Sequence, residues 1–248
     1  GLGDVYKRQL RYLLDSQEDL EEIDLSAYRA VFERHSLMDP HVLMGAESVE
    51  GLIGLLQDTP YGKALAMVNK AGGANLFDYE AALDMLFFKQ LWQDVKKHLK
   101  KQDLMVIQRS AGLEADTLNM LWINRAKKYY HMAPADNYAF LIPIHYRLST
   151  GQVKQLVEAE SIKEFMDILE DTGYGRFLEE ADNSQLEKIC GRLMDKVHQL
   201  NMRTAAYSVA CLDTYLYEKE QEVNKVIKVI ECVRYGLPAD RIKAVSYT

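Results

Sequence analysis

Along this chain the apolar positions recur every three to four residues. The breaks between those runs fall at glycine, proline and capping residues. Leu10–Phe32 has the spacing of one or two helices. Ser48 is placed to cap a short helix ending near Gln57. Thr59 is placed to cap the next, with Pro60 at its first position, where a missing N–H costs nothing. Asp78 opens a long helix whose apolar stripe runs Leu83, Leu86, Phe87, Gln90, Leu91 and Val95. Glu114–Tyr130 is a further helix. Leu141-Ile142-Pro143 breaks the pattern, and Leu148-Ser149 opens the next run. Ser161, with Glu164 three residues on, has the form of a capping box. Asn183–Glu218 is predicted as a helix pair, or one long helix broken near Asn201. Glu220–Tyr235 is the last helix, stopped by Gly236-Leu237-Pro238. No segment alternates with period two, so the predicted class is all-α.

One stretch occurs twice. Ala46–Leu65 and Ala159–Leu178 align without a gap, from 46 to 159 being a shift of 113 residues. Nine of the twenty positions are identical, among them Leu56/Leu169, Asp58/Asp171, Thr59/Thr172, Tyr61/Tyr174 and Gly62/Gly175. Most of the rest exchange like for like, as Val49/Ile162 and Lys63/Arg176 do. A repeat of this length implies two copies of one structural unit. The expected units are 40–145 and 146–244, meeting near Pro143–Thr150. Duplicated helical units build a shape more often than they build an asymmetric catalytic site.

The chain has 248 residues and a formal charge of −7. Phosphate neutralisation needs clustered cations, so nucleic acid is not an expected partner. Lys96, Lys97, Lys100 and Lys101, like Lys127 and Lys128, are read as solvated helix faces. No apolar run approaches the length of a membrane span. Cys190, Cys211 and Cys232 lie in Leu- or Val-rich helical surroundings with no Cys-x-x-Cys, and are expected as buried, reduced thiols.

No HExxH, Walker loop, GxGxxG or GxSxG occurs. The six histidines are scattered singly, and the run Glu18-Asp19-Leu20-Glu21-Glu22 is read as a solvated face rather than paired catalytic carboxylates. No catalytic, cofactor-binding or metal-binding residue is assigned. The repeated Asp-Thr-x-Tyr-Gly is read as scaffold: Thr59 and Thr172 cap helix starts, while Tyr61 and Tyr174 pack their rings and keep a partner for the hydroxyl. Two asparagines, Asn119 (in Asp116-x-x-Asn119, followed by Arg125) and Asn224 (in Glu222-x-Asn224, followed by Glu231 and Arg234), lie inside apolar helices. An interior asparagine competes with the helix backbone, so each is expected to make a buried hydrogen bond within its own copy.

Both ends carry segments that look foreign. Residues 4–9 and 245–248 read as translations of a transposase-type sequencing adaptor, so 1–9 and 245–248 are set apart from the fold argument. The chain is then expected to be a piece of a longer protein.

Taken together these features resemble the C subunit of the V/A-type rotary ATPases, the counterpart of the d subunit of eukaryotic V-ATPase. The residues that carry the resemblance are the Leu-x-x-Thr-x-Tyr repeat at Leu56–Tyr61 and Leu169–Tyr174, and the Asp116-x-x-Asn119 … Arg125-x-Lys127 helix. The ending Glu222-x-Asn224 … Glu231-x-x-Arg234-Tyr235-Gly236-Leu237-Pro238 adds to them. The resemblance implies three similar helical domains forming a funnel, of which this chain would hold the second and third, plus the tail of the first in 10–39. It implies a non-catalytic rotor part without cofactor, one copy per complex. Such a part would sit on the cytoplasmic face of the proteolipid ring, hold the foot of the central stalk, and couple H⁺ or Na⁺ movement to ATP chemistry elsewhere. The alternative is an all-α scaffold module of another assembly. Solenoid repeats run about 20–50 residues, which a shift of 113 does not fit.

Overall fold

The computed structural model describes residues 2–15, 42–43, 45–71, 75–177 and 186–240, and among these no strand occurs. The helices are α1 (Leu2–Asp15), α2 (Val49–Leu55), α3 (Pro60–Ala71), α4 (Leu76–His98) and α5 (Lys101–Arg125). After a π turn, Ala126–Tyr130, come α6 (Pro134–Tyr138), α7 (Thr150–Glu158) and α8 (Ile162–Glu170). A 3₁₀ turn, Gly175–Phe177, precedes α9 (Leu186–Thr204) and α10 (Ala210–Arg234). The all-α class is thus observed.

Local chemistry sets most helix starts as expected. The Ser48 hydroxyl accepts from the Gly51 N–H at 3.0 Å, and Thr59 Oγ1 accepts from the Gly62 N–H at 3.1 Å. Two starts differ from the sequence reading. α4 starts at Leu76, capped by Asn75, rather than at Asp78, and Asn75 and Asp78 form a reciprocal capping box: Asn75 Oδ1 accepts from the Asp78 N–H, Asp78 Oδ2 from the Asn75 N–H. At α8 the Ser161 hydroxyl accepts from the Glu164 N–H. The Glu164 carboxylate, however, reaches back one residue further, to the N–H of Glu160 at 2.7 Å.

Several boundaries move. α1 starts ahead of Leu10, and the rest of the stretch predicted to run to Phe32 lies outside the described residues. α5 begins thirteen positions before Glu114, at Lys101. The helix pair predicted from Asn183 is α9 and α10. The break between them is the turn at 205–209, and Asn201 stays helical and buried because its amide spans to α5: Oδ1 accepts from Arg109 at 3.0 Å and Nδ2 donates to the Val106 carbonyl at 3.3 Å. Glu220 is no start; α10 runs through it. The predicted stop holds: Gly236 has φ +65, and Leu237 N–H returns to the Cys232 carbonyl.

Two apolar clusters organise the chain. One joins Tyr6 and Leu10 of α1 to Leu43, Leu52, Leu56, Leu65, Tyr79 and Leu83. The larger joins Leu113, Met120 and Ile123 of α5 to residues from Leu148 to Val197, including Phe165, Leu169 and Tyr174. α5 therefore packs into the core of the second copy as well as against α4. A small cluster seats Ile142 and Ile144 on Phe88 and Ala115. That returning segment explains one displaced stripe position: Phe88 is 3 % exposed, whereas Phe87 points outward at 49 %. Of the cysteines only Cys190 is buried, and burial pushes its thiol up to about 12; Cys211 is exposed and Cys232 intermediate.

Candidate functional site

In each copy a short helix ends, a threonine hydroxyl bonds back three residues, and a tyrosine and glycine follow. Thr59 Oγ1 donates to the Leu56 carbonyl at 2.7 Å, and Thr172 Oγ1 to the Leu169 carbonyl at 2.6 Å. The glycines are dictated by a close approach. A Cβ at Gly62 would sit 2.1 Å from the Leu56 carbonyl oxygen, and one at Gly175 would sit 1.8 Å from that of Glu170. Asp58 and Asp171 are exposed in both copies.

The tyrosines differ. Tyr174 is buried and its hydroxyl donates to Asp116 Oδ2 at 2.7 Å. Burial, then the Asp116 carboxylate, raises its phenol well above the usual range, so it serves as a donor and not as a proton shuttle. Tyr61 is half-buried and packs its ring on Tyr6 at 4.9 Å; burial raises both phenols. The same shift of 113 residues places Gly3 at the position of Asp116 and Tyr6 at that of Asn119.

Asp116, fully buried in α5, is the hub. Its carboxylate accepts the N–H groups of Tyr146 at 3.2 Å, Arg147 at 2.7 Å and Leu148 at 3.1 Å, besides the Tyr174 hydroxyl. One turn on, Asn119 pairs with both backbone groups of Ile142, at 3.0 and 2.8 Å. Together they pin the 142–148 segment onto α5. Lys127 adds a third tie, donating to the carbonyls of Val157 and Ala159; burial pulls its ammonium below the usual range. Arg125 pairs with Glu187 at 2.6 Å on the surface, worth at most about 1 kcal/mol.

The second motif joins none of this. Glu222 pairs with Lys219, and Asn224, Glu231, Arg234, Tyr235 and Gly236 are exposed on or just past α10. The buried hydrogen bond expected of Asn224 is absent, because nothing among the described residues packs on this half of α10. The valines and isoleucines beside it are exposed too, Val226 by 53 % and Ile230 by 60 %.

Sequence reasoning missed one cluster, where α5, α9 and α10 meet. His198 is buried, stacks on Tyr217 at 4.1 Å, and holds Nδ1 3.4 Å from Asp213 Oδ2. Tyr217 donates to Asp195 at 2.8 Å, and burial raises its phenol. The nearby Glu114 carboxyl is pushed up to about 7, first by burial, then by Glu220, Asp213 and Asp84, with His198 opposing. A carboxyl raised in the folded state contributes stability that is fully present below about pH 4.5 and lost as pH rises through about 7. The variant Glu114→Gln is therefore expected to match the parent at pH 4 and to exceed it by about 3 kcal/mol at pH 8 in urea unfolding. A pH-independent difference would refute the assignment.

These groups come from α5, α9 and α10, and among the described residues no serine or cysteine side chain hydrogen-bonds to His198. Among the described residues no three His, Cys, Asp or Glu side chains are grouped to hold a metal ion. What the Asp116 arrangement can do is mechanical: it ties the 146–148 segment and Tyr174 to α5.

Comparison with known proteins agrees with the motif pattern. The family model described as ATP synthase (C/AC39) subunit matches residues 5–245. The A-type ATP synthase C subunit of Methanosphaera stadtmanae is 26 % identical over 225 residues, covering 83 % of this chain and 56 % of the relative. That of Thermococcus kodakarensis is 25 % identical over 206 residues, with 80 % and 54 % covered. The Methanothermobacter thermautotrophicus protein of the same name is 27 % identical over 202 residues, with 76 % and 51 % covered. The chain thus spans about half the length of the curated relatives it matches. With the family model running through both copies of the repeat, the chain belongs to the ATP synthase (C/AC39) subunit family, that of the C subunit of the V/A-type rotary ATPases.

Proposed function

We propose that this chain is a non-catalytic rotor component of a V/A-type ATPase, joining the foot of the central stalk to the proteolipid ring so that H⁺ or Na⁺ movement and ATP turnover are coupled. The observation that carries this reading is the family match, continuous across 5–245. The relatives it finds are named as subunits of an ATP synthase. In this reading 40–145 and 146–244 are two of the three domains, 10–39 is the tail of the first, and one copy serves each complex.

The physical character of the chain supports the role. A part that transmits torque must resist bending, and close-packed helices with low compressibility do so. The Asp116, Asn119 and Lys127 ties hold Ile142, Arg147 and Val157 to α5 and the turn after it, which stiffens a part that would otherwise flex. No helix among the described residues is long and apolar enough to cross a membrane, which fits attachment to the ring from its cytoplasmic side. The experiment that tests the proposal is to strip this component from a purified complex and follow ATP hydrolysis and ion transport separately; transport is expected to fail while hydrolysis persists.

A further inference from the structure

The second copy carries a cationic pocket apart from the Asp116 arrangement. Lys188, Arg192 and Lys196 follow one another at four-residue spacing along α9, a single exposed ridge. Arg176, from the 3₁₀ turn, faces it. Arg176, Arg192 and Lys196, with Phe177, Ile189 and Leu193, line a cavity of about 220 Å³. The cations at Arg176 and Lys196 lie 4.6 and 5.0 Å from the Phe177 ring centroid. No carboxylate among the described residues forms an ion pair with any of the four. Like charges at this spacing on a helix destabilise it, a cost that the two cation–ring contacts on Phe177 offset only in part. The ridge is also local: the chain as a whole carries −7.

We propose that this pocket binds an acidic segment of a protein partner, with carboxylates one helical turn apart seated between Arg176 and the α9 ridge. The ligand class follows from the lining. Three cations with no ion-pair partner among the described residues select oxyanions. Their spacing along α9 matches carboxylates at i and i+4 of an opposing helix. Cations already lie over the Phe177 ring, so its face is not open to stack a base. No large apolar side chain among the described residues between 139 and 199 is exposed, which leaves the patch nothing to insert into a lipid surface.

The test uses a fluorescent twenty-residue Ala-rich peptide with Glu at every fourth position, titrated against the whole chain by anisotropy. The double variant R192Q/K196Q is expected to weaken binding about tenfold and to flatten its salt dependence, whereas K96Q/K97Q leaves both unchanged. Circular dichroism on each variant checks that α9 is intact. A peptide of the same composition with its glutamates contiguous should bind several-fold more weakly. Equal binding by parent and R192Q/K196Q would overturn the proposal. So would displacement of the peptide by inorganic phosphate at equal charge, or stronger binding to phosphatidylserine vesicles than to the peptide. A tenfold gain on neutralising Glu179, Glu180 and Asp182 would assign the pocket to the chain's own acidic stretch instead.

Discussion

Replacing Asp116 with alanine is expected to destabilise the fold by about 3–5 kcal/mol, measured as a shift of the urea midpoint at unchanged slope. The carboxylate has no exposed surface and satisfies four donors at once: three consecutive backbone N–H groups and the Tyr174 hydroxyl. Alanine leaves all four buried or half-buried without an acceptor, and the cost of orphaned donors exceeds the modest net value of the bonds themselves. Asp116→Asn keeps the shape but turns one oxygen into a donor aimed at donors, so it should cost about 2–3 kcal/mol. Tyr174→Phe removes one donor only and should cost about 1 kcal/mol. In the double variant D116A/Y174F the two losses should not add, since the hydroxyl no longer lacks a partner. An Asp116→Ala cost below about 1 kcal/mol would show that this carboxylate is not what holds the 146–148 segment on α5.

The second large effect is expected at the paired glycines. Gly62→Ala and Gly175→Ala each place a methyl within about 2 Å of a backbone carbonyl oxygen, that of Leu56 in one copy and of Glu170 in the other. A side chain could swing aside, but these atoms belong to the helix ends that the turn closes on. Each substitution should cost about 3 kcal/mol or more, as overpacking against rigid backbone does. Gly54 and Gly191, also helical, have open space where a Cβ would go. At those two positions alanine should stabilise, by about 0.5–1 kcal/mol, because glycine is the poorer helix former. The opposite signs separate a steric requirement from a general intolerance of substitution. A Gly62→Ala protein as stable as the parent would show that the repeated glycine reflects ancestry without a present need.

Which features are legible in the sequence follows from their range. Caps and stops are local: Ser48, Thr59, Ser161 and Gly236 act within a few residues, and their chemistry is written in adjacent letters. The repeat is equally plain, because it needs only comparison of the chain with itself. Asp116 and Tyr174 each stand out in a motif, but their pairing spans 58 residues and no periodic signal in either motif names the other. Phe87 and Phe88 are adjacent, so periodicity alone does not say which faces inward; the returning Ile142–Ile144 segment decides. Asn224 misleads for a related reason. An asparagine in an apolar helix implies a buried partner only if something packs there, and the second half of α10 is exposed. The cluster of Glu114, His198 and Asp213 comes from three helices and leaves no local trace.

The most direct measurement of the proposed role compares ATP hydrolysis with ion transport in one purified complex, before and after removal of this component and after its return. Coupling through this part predicts that hydrolysis continues without it, that transport driven by ATP falls to background, and that adding the protein back restores transport. Transport that survives its removal at the original ratio of ions to ATP would contradict the proposal outright.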